Sequence, residues 1–186
     1  LRHGPTLVFW GCEDSIPFEW ATHLCRWMSS HLWFSQKLLP WYREHHRPLP
    51  WRETRDPYGV WLSEVILQQT RVEQGLNYFL RFTERWPTVG ALARASEDEV
   101  LKQWQGLGYY SRARNLLTAA RQVVNEHDGI FPEEHSGLLG LKGVGDYTAS
   151  AVASICFNRP DAVVDGNVYR VLARVFGIDT PIDSTE

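Results

Sequence analysis

Leu141-Lys142-Gly143-Val144-Gly145-Asp146-Tyr147-Thr148-Ala149, then an apolar run, then Val164-Asp165-Gly166-Asn167-Val168, is the part of this chain that decides how the rest is read. Two glycines one residue apart, between apolar positions, predict a tight turn with bare backbone amides. Such amides can hold a phosphate without any side chain. The apolar run that follows predicts a helix over about residues 146–157, and a second helix over 166–176 begins just after Asp165. A phosphate grip followed by a placed carboxylate points to chemistry on a nucleic-acid backbone or sugar.

Outward from that stretch the pattern is helical almost throughout. Phe34, Leu38, Leu39, Trp41 and Tyr42 mark a first amphipathic segment. Asp56-Pro57 is a start signal, a cap followed by proline at the first helical position. It opens a run through Trp61, Leu62, Val65, Ile66, Val72, Leu76 and Phe79. Ser96 and Glu99 form a capping box ahead of Val100, Leu101 and Trp104, and Gly106 and Gly108 end that segment. Ser111 opens another helix that stops near Gly129. β-Branched runs are short. The expected fold is all-α: packed short helices joined by tight turns.

Bulk properties narrow the function classes. The formal net charge is −3, which argues against a broad basic surface but not against a site made of amides and a few arginines. Cys12, Cys25 and Cys156 are too few and too scattered for a disulfide framework, a zinc site or a four-cysteine cluster. No apolar run is long enough to span a membrane. Glu13, Asp14 and Glu19 interrupt any secretory signal, so an intracellular setting is expected, cytoplasmic or nucleoid-associated in a bacterium. Residues 1–33 show little periodicity and stand as an unassigned, poorly ordered extension. At the other end Ser184 reads as a cap for a helix that does not follow, so the chain reads as truncated.

Glu64 lies in a strongly apolar helix beside Trp61, Leu62, Val65 and Leu67. Its ordinary place is the solvent side. In an apolar cleft, desolvation would instead keep it protonated near neutral pH, as a general acid requires. Gln68 and Gln69 add polarity to the same helix. Asp165 reads first as a helix N-cap. A carboxylate there also stays anionic and could stabilise a cation or attack a sugar carbon. One carboxyl kept protonated and one kept ionised suit the cleavage of a glycosidic bond. Arg112, Arg114 and Arg121 form a basic stripe next to Tyr109 and Tyr110, suited to phosphates and bases, or else a solvated face with core tyrosines. His45 and His46 are not spaced for a metal, and no metal site is expected.

These pieces together resemble the helix-hairpin-helix DNA glycosylases, most closely the adenine DNA glycosylases of the MutY family. The matching text includes Leu49-Pro50-Trp51-Arg52, Trp61-Leu62-Ser63-Glu64-Val65-Ile66-Leu67-Gln68-Gln69-Thr70 and Gly106-Leu107-Gly108-Tyr109-Tyr110-Ser111-Arg112-Ala113-Arg114-Asn115-Leu116. It continues with the two stretches quoted first, extended through Tyr169-Arg170-Val171-Leu172. The resemblance implies a C-terminally incomplete glycosylase domain over residues 34–186, with the hairpin at about 136–158. It implies removal of adenine mispaired with 8-oxoguanine or guanine in base excision repair, by a monomer acting on double-stranded DNA. Glu64 falls on the catalytic acid, Asp165 on the carboxylate that stabilises the cationic sugar, and Tyr147 and Asn167 on residues that assist. Gln69 and Tyr109 fall on residues that wedge into the base stack. Gln68, Arg112, Lys142, Gly143, Val144 and Gly145 complete the implied DNA contacts. Arg47, Leu49, Trp51, Arg52 and Val72 resemble an adenine pocket. The related endonuclease III type has lysine where this chain has Tyr147, so a strand-cleaving lyase is disfavoured. The family's [4Fe-4S] cluster is held by four cysteines after the catalytic Asp. None of the three cysteines here matches, so those ligands are expected beyond residue 186. A non-catalytic DNA-binding fragment and a glycosylase for another damaged base are the alternatives.

Overall fold

The structure is a computed structural model, and it describes residues 33–181. Residues 1–32 and 182–186, which carry the expected N-terminal extension, Cys12, Cys25 and the Ser184 cap, lie outside the described residues. The chain divides into two compact units, residues 1–47 and 48–186. The helix at residues 33–45 (α1) groups with the first unit, and the second begins at Pro48. Within α1, Trp41 stacks on His45 and Tyr42 on His46, each with ring centroids 5.2 Å apart, as four-residue helical spacing allows.

The second unit is built around α2 (Pro57–Leu67). Asp56 caps it as expected, accepting from the amides of Tyr58 (3.3 Å) and Gly59 (3.0 Å). From Tyr58 to Ile66 every residue except Glu64 is buried. Three helices explain why: α3 (Val72–Arg85), α6 (Ser111–Glu126) and α8 (Asp146–Phe157) all lie against α2. α8 comes close because its inner face is small: Thr148, Ala149, Ser150, Ala151 and Ala153 are buried along with Val152. Gly75 does the same for α3, since a Cβ there would come within 2.6 Å of the Leu67 side chain.

The apolar run from Trp61 to Phe79 is two helices, not one. The break at residues 68–71 carries no glycine or proline and leaves Gln69 in left-handed backbone at φ 55°. α4 (Val89–Ala93) and α5 (Glu97–Trp104) pack on α6 from the other side. The five-residue α4 is too short to show a period in sequence. Phe82 lies edge-on to Trp104 at 5.8 Å and tilts against Trp86 at 5.2 Å, forming an aromatic centre with no solvent access to Phe82. Removing a ring of this kind costs about 3–5 kcal/mol. α7 (His135–Leu139) and α8 form the hairpin, and α9 (Gly166–Phe176) follows. No strand occurs among the described residues, so the all-α expectation holds.

Candidate active site

The hairpin turn is fixed from beneath by its apolar residues. Leu138, Leu141 and Val144 are buried, and the Val144 amide donates to the Leu141 carbonyl at 3.1 Å. The Lys142 amide donates to the Gln122 side-chain oxygen at 2.7 Å. Gly143 has φ 77°, and a Cβ there would come 2.6 Å from Asn115 Cβ. Gly145 has ordinary backbone with open space around it. The Gly143 and Gly145 amides take no partner among the described residues, and α8 starts at Gly145 without a side-chain cap. Uncapped first-turn amides at a helix N-terminus carry partial positive charge. The expected grip thus narrows. Gly143 and Gly145 present amides outward, whereas Val144 and the Lys142 amide are committed to the fold. Asn115 and Gln122, which seat the turn, were missed. Their seven-residue spacing on one face of α6 was the available signal.

Glu64 is half-buried in a stretch of α2 whose other residues from Tyr58 to Ile66 are buried. α2 has no solvent face here, so the ordinary reading of an exposed glutamate fails. Burial raises the carboxyl above its usual range. Asp165 behaves in the opposite way. Its Oδ1 accepts from the amides of Val168 (2.8 Å) and Asn167 (2.9 Å), and its Oδ2 from the Asn167 side chain at 2.8 Å. The Val168 hydrogen bond first, then those from Asn167 and the nearby Arg170 charge, outweigh partial burial and hold the carboxylate below its usual range. Arg170 in turn donates to the Asn167 side-chain oxygen. Cap and anion are therefore one residue, and Asn167 braces it. Tyr147 lies in the first turn of α8. Its phenol is held up by burial and then by the charges of both Glu64 and Asp165.

The arginine stripe is corrected. Arg112 turns inward. Its Nη1 donates to the carbonyls of Val65 (3.1 Å), Ile66 (3.2 Å) and Gln68 (2.6 Å), and its Nη2 to that of Leu107 (3.2 Å). Burial lowers its pKa from the ordinary arginine value. Arg114 pairs with Glu97 at 2.8 Å, and Arg121 donates to the carbonyls of Ala93 and Ala95. Helix α6 spends these charges holding its neighbours, so the stripe is not a free phosphate-binding face. Tyr109 and Tyr110 are not core residues either: Tyr109 is 66 % exposed with φ 44°. Gln69 is also exposed, while Gln68 is half-buried and lines a cavity of about 40 Å³ with Arg112, Asn115 and Gly143.

The residues expected to form an adenine pocket differ in burial. Leu49 and Trp51 belong to the core, with Trp51 edge-on to Phe79 at 5.0 Å. Val72 is half-buried against that core and Arg52 is exposed. Arg47 belongs to the other unit. Among the described residues no group of three or more His, Cys, Asp or Glu could hold a metal ion. The Cys156 thiol is pushed up to about 12 by burial and then by Asp56. A single half-buried thiol does not by itself supply a four-thiolate cluster.

The chain is similar in sequence and fold to known proteins. The sequence profile of the HhH-GPD superfamily base excision DNA repair proteins matches residues 62–186. The adenine DNA glycosylase of Homo sapiens is 46% identical over 172 residues, covering 88% of this chain and 32% of that protein. That of Rattus norvegicus is 49% identical over 154 residues, covering 78% and 30%. The chain thus spans about a third of the length of these relatives. Among solved structures, a thermostable thymine-DNA glycosylase superimposes with a TM-score of 0.72 at 30% identity, covering 77% of this chain and 67% of that one. A non-covalent endonuclease III–DNA complex gives 0.71 at 24% identity over 84% and 72%, a likeness of fold.

Proposed function

Because this chain belongs to the HhH-GPD superfamily of base excision DNA repair proteins, we propose that it is an adenine DNA glycosylase acting on double-stranded DNA. It removes adenine paired with 8-oxoguanine or guanine. The hairpin amides of Gly143 and Gly145 hold a backbone phosphate. Gln69 and Tyr109 enter the base stack as adenine leaves it, and the everted base meets Glu64.

The reaction follows from the two carboxyls. Adenine leaves poorly as an anion. Glu64, kept protonated by burial, donates to adenine N7, and the bond from the sugar C1′ to N9 breaks with its electron pair going to the base. The positive charge left on the sugar is stabilised by Asp165, which the α9 amides keep ionised. Asp165 can also bond transiently to C1′. Water then adds at C1′ and gives its proton to the Glu64 carboxylate. Tyr147 and Asn167 orient these groups. Tyr147 stands where a strand-cleaving relative has lysine and carries no amine for a Schiff base, which supports a monofunctional enzyme.

What supports this reading is the pairing of Glu64, half-buried among the buried residues of α2, with Asp165, whose Oδ1 accepts from the Val168 and Asn167 amides at 2.8 and 2.9 Å. The test is single-turnover base release from duplexes carrying adenine opposite 8-oxoguanine, adenine opposite guanine, or thymine opposite guanine. The proposal expects release from the first two. Release of thymine alone, or adenine release undiminished in Glu64→Gln, would overturn it.

A further inference from the structure

Among the described residues, four non-glycine positions have left-handed backbone: Gln69, Tyr109, Asp128 and Asn158. Asp and Asn tolerate that conformation through their short polar side chains. Gln and Tyr do not, so something must hold those two turns. Both turns meet at Arg112.

The Gln69 turn follows α2, whose final carbonyls have no amide partner from a continuing helix. Nη1 of Arg112 takes the carbonyls of Val65, Ile66 and Gln68. The Tyr109 turn follows Gly106 and Gly108, and Nη2 of the same guanidinium takes the Leu107 carbonyl. The guanidinium also lies 5.1 Å from the centre of the Trp104 ring and 5.7 Å from that of Tyr109. Arg112 stands in the first turn of α6, where a cation is disfavoured and where no side chain caps the helix. A local rule is broken here, and the four carbonyls account for it. The planar fork is what spans both turns, and a lysine ammonium could not reach both with one geometry.

We infer that Arg112 is the positioning residue for base eversion: one guanidinium locks the Gln69 and Tyr109 turns together, so that the two side chains enter the base stack as a unit. The inference rests on the glycosylase reading above and goes beyond it by coupling two segments 40 residues apart in sequence.

Two measurements on Arg112→Met and Arg112→Lys test it. The first is hydrogen exchange in the absence of DNA. Amides of residues 68–70 and 107–110 should lose protection together while α8 keeps its own. Loosening of one turn alone, or of neither, would overturn the coupling whatever the enzyme's substrate. The second compares release of adenine paired with 8-oxoguanine with release of adenine placed opposite an abasic gap, where eversion costs little. Misplacement of this kind costs about a hundredfold on the paired substrate, and the loss should be far smaller on the gapped one. Adding Arg112→Met to Gln69→Ala/Tyr109→Ala should then change little. Equal losses on both substrates, or additive losses, would reduce Arg112 to a general stabiliser. No release by the wild-type protein from either substrate would instead count against the glycosylase reading, and the exchange result would still decide the coupling. If the Met variant fails to fold, the Lys variant serves in both measurements.

Discussion

Glu64 and Asp165 are the same functional group placed by two opposite strategies. Glu64 sits among the buried residues of α2, and burial raises its carboxyl pKa because ions are costly there. Asp165 sits at the start of a helix none of whose residues is buried, and its carboxylate loses its proton because amides crowd around it. The first placement works against the fold and the second works for it. A carboxyl demanded by chemistry can therefore be stabilising or destabilising, depending on whether it lies buried within a helix or caps the start of one.

The sharpest way to break that comparison is to neutralise each carboxyl. Glu64→Gln and Asp165→Asn should each lower single-turnover adenine release by about a thousandfold, the range of lost general-acid or electrostatic catalysis. A variant that retains wild-type release would remove its residue from the mechanism.

pH should separate the two residues next. Glu64 acts while protonated, so release should decline about tenfold per pH unit once pH rises through its elevated pKa. Asp165 acts while ionised, so the acid limb should appear only as pH falls through its depressed pKa. A single-turnover profile rising toward alkaline pH would reverse the assignment. Tyr147→Phe keeps the ring and removes the phenol hydroxyl. Release should fall by about tenfold, less than for either carboxyl, and a loss as large as that of Glu64→Gln would make Tyr147 a proton donor in its own right.

The smallest effects are on stability, and they carry opposite signs. Glu64 takes up its proton more readily when folded than when unfolded. Its favourable contribution is complete below the unfolded pKa and is lost as pH rises to the folded one. Glu64→Gln should therefore raise stability at neutral pH, by about 1 kcal/mol. Asp165→Ala should lower it by about 1 kcal/mol through loss of the cap, while Asp165→Asn, itself a good cap, should leave it nearly unchanged. Urea denaturation at neutral pH would check all three, and destabilisation by Glu64→Gln would contradict the burial argument.

The same contrast explains what the sequence could convey. α8 and α9 were legible because a glycine turn and an apolar run mark α8, and a capping aspartate and Gly177 bracket α9. The capping box of α5 was legible for the same reason, and its Glu99 carboxylate is held down to about 2, first by the Ser96 amide and hydroxyl. The break between α2 and α3 was not legible, because what ends α2 is Arg112, more than 40 residues away. Periodicity also could not say whether Glu64 faced solvent, since apolar residues surround it on every side. Only the approach of α3, α6 and α8 removes the solvent face. The arginine stripe misled because charges that hold neighbouring carbonyls look, in sequence, like charges that await a phosphate.

Asp165 caps α9 whether or not it ever meets a sugar. A descendant that gave up catalysis would still gain from keeping it, and would gain from discarding the buried Glu64. The two carboxyls should then decay at different speeds once selection for repair is relaxed. In comparing descendants of this fold, an aspartate at the start of the last helix says little about whether the enzyme still works. The glutamate in the covered helix is the one whose survival testifies to use.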